Sequence, residues 1–179
     1  MTAEAERVGG LSARWRLAVW GAAAALMAAP AVAMLFTREM AWGLEDFAFA
    51  AVMLGGVGLV FELAGRVSDR LAYLLGVGIG LAAAFLLVWI NLAVGIIGSE
   101  ENPANLLYAG VVAVAAVGAA CARLRPAGMA RAMVAAAAAQ GAVFAVAWAG
   151  GLGFTGPITI VFGAMWLASA WAFRRAAGR

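Results

Sequence analysis

Few side chains in this sequence can do chemistry, and most of them fall in one stretch, WINLAVGIIGSEENPANLLY, between Trp89 and Tyr108. Asn91 interrupts its apolar half, while Glu100, Glu101, Asn102 and Asn105 crowd around a proline. Carboxylates beside amide oxygens are hard donors that can line a polar pocket or hold a cation. The same residues also satisfy a purely structural pattern. Gly98 can end one helix as its left-handed residue, Asn102 can cap the next, and Pro103 suits that helix's first position. The glutamates then lie beside the positive end of the following helix, which stabilises them. Asn91 is read first as interhelical glue, and second as one wall of an outward-facing pocket shared with Glu100, Glu101, Asn102 and Asn105.

Three further polar positions lie inside apolar runs. Glu62 has Arg66 one turn away on the same helical face, which reads first as an ion pair. Its second reading is a proton relay or cation ligand, because burial and a neighbouring arginine both act on a carboxylate's protonation. Gln140, within a run of alanines, is expected to make a helix–helix hydrogen bond or to line a central cavity. Pro30 deletes a backbone hydrogen bond to the Leu26 carbonyl and is expected to kink its helix. Gly55, Gly56 and Gly58, and Gly76, Gly78 and Gly80, lack the strand–turn–helix setting of a phosphate loop and read as close-packing surfaces.

The missing residue types exclude more than the present ones suggest. There is no histidine and one cysteine, so an internal disulfide, a CxxC pair, a His-ligated haem and a His/Cys zinc site have no ligands. No metal set and no cofactor is expected. Cys121, ending a small-residue helix, reads as a buried, inert thiol. No nucleophile stands with a base and no carboxylate pair is spaced for acid–base work, so an enzyme is the least supported class. The formal net charge of +3 comes without a continuous basic face, so no nucleic-acid partner is expected.

The elements that must position these residues follow from hydropathy. With 66% hydrophobic and 12% charged residues in 179, the chain belongs in a lipid bilayer. Six blocks approach the 20 or so apolar residues a spanning helix needs: 15–36, 47–64, 71–97, 103–122, 132–149 and 157–173. The expected fold is therefore all-α, a single transmembrane domain over residues 1–179 built as a six-helix bundle. Every arginine except Arg38 falls on the side of the amino terminus, while Glu39, Glu45, Asp46, Glu100 and Glu101 fall on the other. The positive-inside rule then puts both termini in the cytoplasm. A cleaved signal peptide ending at APAVA (Ala29–Ala33) competes, but the apolar run continues through Phe36 to spanning length. Ser12, Asp46 and Ser68 are placed to cap the first three helices. Trp15 and Trp171 mark the inner interface and Trp42 and Trp148 the outer one, while Trp20, Trp89 and Trp166 lie deeper as packing or pocket residues. The third block, about 40 Å if wholly helical, exceeds a core near 30 Å and must tilt, protrude or break, with Gly95 and Gly98 offering a place to unwind.

The stretch from Trp89 to Tyr108, together with RLRPAGMARA at Arg123–Ala132, resembles a family of small uncharacterised multi-pass bacterial inner-membrane proteins. The likeness covers about the middle third of the chain; it implies a bacterial inner membrane and no particular activity. In size and helix count the chain is also similar to the substrate-binding subunits of energy-coupling factor vitamin transporters. The leading expectation is a subunit that binds or transports a small or lipophilic molecule. The alternative is a non-catalytic accessory or assembly subunit that self-associates or meets a membrane-protein partner through Gly/Ala faces.

Overall fold

The computed structural model describes residues 13–37 and 41–178; Arg7, Ser12, Arg38 and Glu39 lie outside them. Among the described residues all regular structure is helical: α1 Ala13–Ala33, α2 Leu44–Val67, α3 Leu71–Ala93, α4 Leu106–Cys121, α5 Pro126–Ala149 and α6 Gly156–Ala177, with a 3₁₀ turn at Pro103–Asn105 before α4. Each of the six spans is long and apolar enough to cross a membrane. The chain divides into two compact units, residues 1–69 and 70–179.

In the first unit α1 and α2 run antiparallel. Trp20 lies flat on Gly58, where an added Cβ would come within 3.1 Å of the indole. One turn further along, Arg16 pairs with Glu62 at 3.1 Å. Glu62 therefore meets a cation on the neighbouring helix rather than Arg66 on its own, which is exposed. Two packed helices bring the Arg16 guanidinium across the groove, and that geometry displaces the i,i+4 pairing. Pro30 falls in the last turn of α1, which continues only to Ala33. At the start of α2, Asp46 is the third helical residue and accepts from the Gly43 N–H at 2.8 Å, so it caps from inside the helix. Ser68 closes α2, donating its N–H to the Ala64 carbonyl, and Arg70 is the residue that immediately precedes α3.

The second unit is a four-helix arrangement in which α3 packs on α6, α4 on α5 and α5 on α6. The small residues set the spacing. A Cβ on Gly76 would touch the Phe173 ring at 3.0 Å, and one on Gly80 would touch the Ser169 oxygen at 3.1 Å. A Cβ on Gly118 would lie 2.7 Å from that of Ala132, so α4 and α5 meet nearly backbone to backbone. The Ser169 hydroxyl donates to the Gly76 carbonyl at 2.6 Å, and Tyr73 donates to Leu124 at 2.9 Å. Arg70 reaches the Ala176 carbonyl at 3.0 Å. Leu124 and Arg123 both have positive φ, 58° and 48°, a conformation that disfavours residues with a Cβ. The Tyr73 bond holds that strained α4–α5 turn from across the unit.

Helix ends depart from hydropathy in instructive ways. α3 stops at Ala93, not Ile97, because Gly95 adopts φ 68° and donates to the Asn91 carbonyl, a left-handed helix stop. A Cβ at Gly95 would sit 2.4 Å from the Ser99 carbonyl carbon, so only glycine fits there. Gly98, expected to end the helix, instead turns the loop beyond it at φ 72°. α5 begins at Pro126, six residues before the apolar block, with Arg131 on its exposed side. It ends in a Schellman motif, with Leu152 donating to Ala147 and Gly151 to Trp148. Cys121, expected to be buried, is exposed.

Candidate functional site

At the end of the second unit where α3 stops and α4 starts lies a pocket of about 330 Å³. Asn91, Glu100, Glu101, Asn102 and Asn105 all line it, joined by Tyr108. The rest of its wall is apolar: Leu87, Val88, Leu92, Pro103, Leu106 and Ala109. The five polar residues expected from the sequence thus converge on one cavity. They do not have equal freedom to act there.

Asn105 is committed to the loop. Its side-chain oxygen accepts from the Ile96 and Ile97 N–H groups at 3.0 and 2.8 Å, and its amide donates to the Ile97 and Ser99 carbonyls at 3.4 and 2.7 Å. An amide so fully bonded fixes the loop and has little left for a ligand. Asn102 caps the 3₁₀ turn as expected, accepting from Ala104 N–H at 3.0 Å, with Pro103 at the first position. Its amide nitrogen lies over Gly98. Asn91 donates to the Leu87 carbonyl at 2.9 Å along its own helix, so its amide does not bond another helix. Its oxygen is buried without a partner. Glu100 and Glu101 are exposed at the rim.

Tyr108 is the residue that sequence reasoning missed. It lies one turn after Asn105 in an apolar helix, 1% exposed, and its hydroxyl is buried without a hydrogen-bond partner. The Thr155 hydroxyl faces it from the start of α6, but neither oxygen completes a well-formed bond. The spacing from Asn105 was the available signal, since residues three apart share a helical face.

The remaining candidates lie elsewhere. Glu62, Arg66 and Pro30 belong to the first unit. Gln140 is fully buried in α5, and neither atom of its amide has a partner, so the expected helix–helix hydrogen bond is not formed. Trp166 is also buried with its indole N–H unpaired, as is the Thr159 hydroxyl. Gln140 and Trp166 both lie roughly 15 Å from the α5–α6 turn, counting 1.5 Å per residue along antiparallel helices. Phe144, Trp148 and Phe154 cluster around that turn, with Trp148 and Phe154 edge to face at 5.7 Å. On the opposite end, Arg175 stacks over exposed Trp171 at 3.8 Å. Amphipathic rings at helix ends are what a membrane interface favours.

Six apolar spans define a multi-pass integral membrane protein of the all-α class. No family model, curated protein or solved structure matches the chain.

Proposed function

We propose that the protein is a small-molecule-binding subunit of a bacterial inner membrane, with both termini cytoplasmic and the α3–α4 pocket opening on the outer side. The observation that carries this reading is the convergence of Asn91, Glu100, Glu101 and Asn102 on one cavity at the end of α3. A mostly apolar cleft with a few converging polar groups is the usual form of a ligand site, and about 330 Å³ is at the small end of the range. The arginine distribution supports the orientation, because it leaves the acidic 94–105 loop on the translocated side. The test is native mass spectrometry of the full chain from a mild detergent. A stoichiometric small molecule, lost from Asn91→Ala protein, is the expected result; its absence from gently extracted wild-type protein counts against the reading.

A second reading, an accessory or assembly subunit, draws on the first unit. α1 buries none of its spanning window, and Leu17, Leu26 and Leu35 are exposed. Gly21, Gly55 and Gly56 have open space where a Cβ would point, leaving small-residue surface of the kind that packs against another helix. A polypeptide retained in the same experiment, with no small molecule, favours this alternative.

A further inference from the structure

The described arginines of the second unit, Arg70, Arg123, Arg125, Arg131, Arg174 and Arg175, all lie toward one end of it, and all are exposed. In sequence they belong to three separate segments: the start of α3, the α4–α5 turn with the first turns of α5, and the last turn of α6. Two hydrogen bonds draw those segments together. Arg70 to the Ala176 carbonyl, 3.0 Å, joins α3 to α6, and Tyr73 to the Leu124 carbonyl, 2.9 Å, joins α3 to the α4–α5 turn. The acids of this unit, Glu100 and Glu101, lie in the α3–α4 loop at the other end, while Asp69 adjoins the arginine end in sequence. Among the described residues Arg123, Arg125, Arg131 and Arg174 pair with no carboxylate.

Local structure adds to this charge instead of offsetting it. α3 and α5 both start here, with Arg70 and Arg125 at their N-cap positions, no side-chain cap and no acid in the first turn. A helix start carries partial positive charge and favours an acid, as α2 has in Glu45 and Asp46. The α4–α5 turn holds Arg123 at φ 48° and Leu124 at φ 58°, a conformation that glycine takes without cost. Strain of this kind persists only where surrounding structure imposes it, as the Tyr73 bond does here. Orientation in a membrane needs only a count of arginines. Their convergence on a fixed turn and two uncapped helix starts goes further, and makes a rim suited to anions.

The depth of the rim separates a lipid from a soluble anion. Counting about 1.5 Å per residue back along α5 from Ala149 and forward along α6 from Gly156, Arg131 and Arg175 both lie roughly 28 Å from the α5–α6 turn, close to the thickness of a hydrocarbon core. Toward the core the surface turns apolar. Leu167, Trp171 and Arg175 follow one another at one-turn spacing on the exposed side of α6, and Leu71 and Leu75 are exposed on α3 after Arg70. Arg175 lies over the Trp171 ring at 3.8 Å, which holds its guanidinium at the junction of apolar and polar surface. A free phosphate would meet only the cations, whereas a phospholipid meets both surfaces. We infer that this end of the second unit docks anionic phospholipid. The headgroup phosphates sit on the arginines of the α4–α5 turn and of the last turn of α6, with the acyl chains along the apolar faces next to them.

The test is native mass spectrometry of the full chain, stripped of lipid in a mild detergent. It is titrated with phosphatidylglycerol, with phosphatidylcholine of the same acyl chains, and with glycerol 3-phosphate as a headgroup without chains. Phosphatidylglycerol is expected to bind at least about fivefold more tightly than phosphatidylcholine, and glycerol 3-phosphate at equal concentration should not displace it. In Arg123→Gly/Arg125→Gln/Arg174→Gln protein the phosphatidylglycerol affinity should fall at least about tenfold, since each arginine near an anionic surface is worth about fivefold. These positions are exposed and glycine at 123 relieves a positive φ, so the variant should melt no lower than wild type in the absence of lipid. That separates lost docking from a lost fold. Arg125→Gln/Arg174→Gln protein, which leaves the strained backbone as it is, gives a second reading, with a loss of at least about fivefold. Equal affinity for the two lipids overturns the charge selection. Displacement by glycerol 3-phosphate reassigns the rim to a soluble anion and overturns lipid docking. Unchanged phosphatidylglycerol affinity in both variants removes this end of the unit as the site.

Discussion

The two ends of the four-helix unit differ in how many buried polar groups they leave unbonded. At the end containing the α4–α5 turn, Tyr73 bonds Leu124 and Arg70 bonds Ala176, and a little deeper Ser169 bonds Gly76, each reaching a carbonyl on another segment. At the other end, the oxygens of Asn91, Tyr108, Thr155 and Thr159 are buried without partners. Buried polar groups lose hydration and recover it only by bonding. One end is therefore built as a fixed joint, while the other is clasped through Asn102 and Asn105 and still leaves those four oxygens unbonded.

The largest expected effect comes from breaking the joint. Gly118→Val forces a branched side chain against Ala132 and should destabilise the unit by about 3 kcal/mol, read as a large fall in melting temperature in a fixed detergent. At the open end, Asn105→Ala removes all the side-chain bonds that clasp 96–99. A loss of about 2–3 kcal/mol is expected, accompanied by rapid hydrogen exchange at Ile96 and Ile97. Gln140→Met sharpens the comparison from the middle: replacing an unpartnered buried amide by an apolar side chain of similar length should stabilise by about 1–2 kcal/mol. A lower melting temperature would mean that the amide has a partner in the membrane. Ser169→Ala should lower stability by about 1 kcal/mol through loss of one bond at the joint. Arg16→Gln, outside the unit, should change it by no more than about 0.5 kcal/mol, since the Arg16 side chain is 58% exposed and such pairs are weak.

All six helices could be seen in the sequence because apolar length is a local property. Their ends were less visible. Arg131 made the fifth span look as though it began at Ala132, yet a helix starts where backbone bonds and Pro126 permit, and an exposed arginine within its first turns does not stop it. Ser68 also closes the helix before it, through its backbone N–H, a role its side-chain chemistry does not announce. The pocket was partly readable because Asn91 and Glu100 to Asn105 are close in sequence, joined by one loop. Their division of labour was not, for Asn105 becomes a clasp only once Gly95 and Gly98 have turned the chain back on it. Glu62 shows the limit most clearly: its i,i+4 neighbour Arg66 is evident in the sequence, but the partner it takes depends on how α1 lies against α2.

The Ser169-to-Gly76 bond joins residues 93 positions apart, and this separation has a consequence in time. At roughly 5–20 residues per second, α3 is made roughly 5–20 s before the segment of α6 that covers its glycine groove. During that interval Gly76 and Gly80 face whatever surrounds the nascent chain in the bilayer. Correct assembly of this protein thus depends on α3 waiting, uncovered, for the last helix to be synthesised, and a chain that terminates before α6 leaves the membrane with an adhesive small-residue surface and no occupant for it.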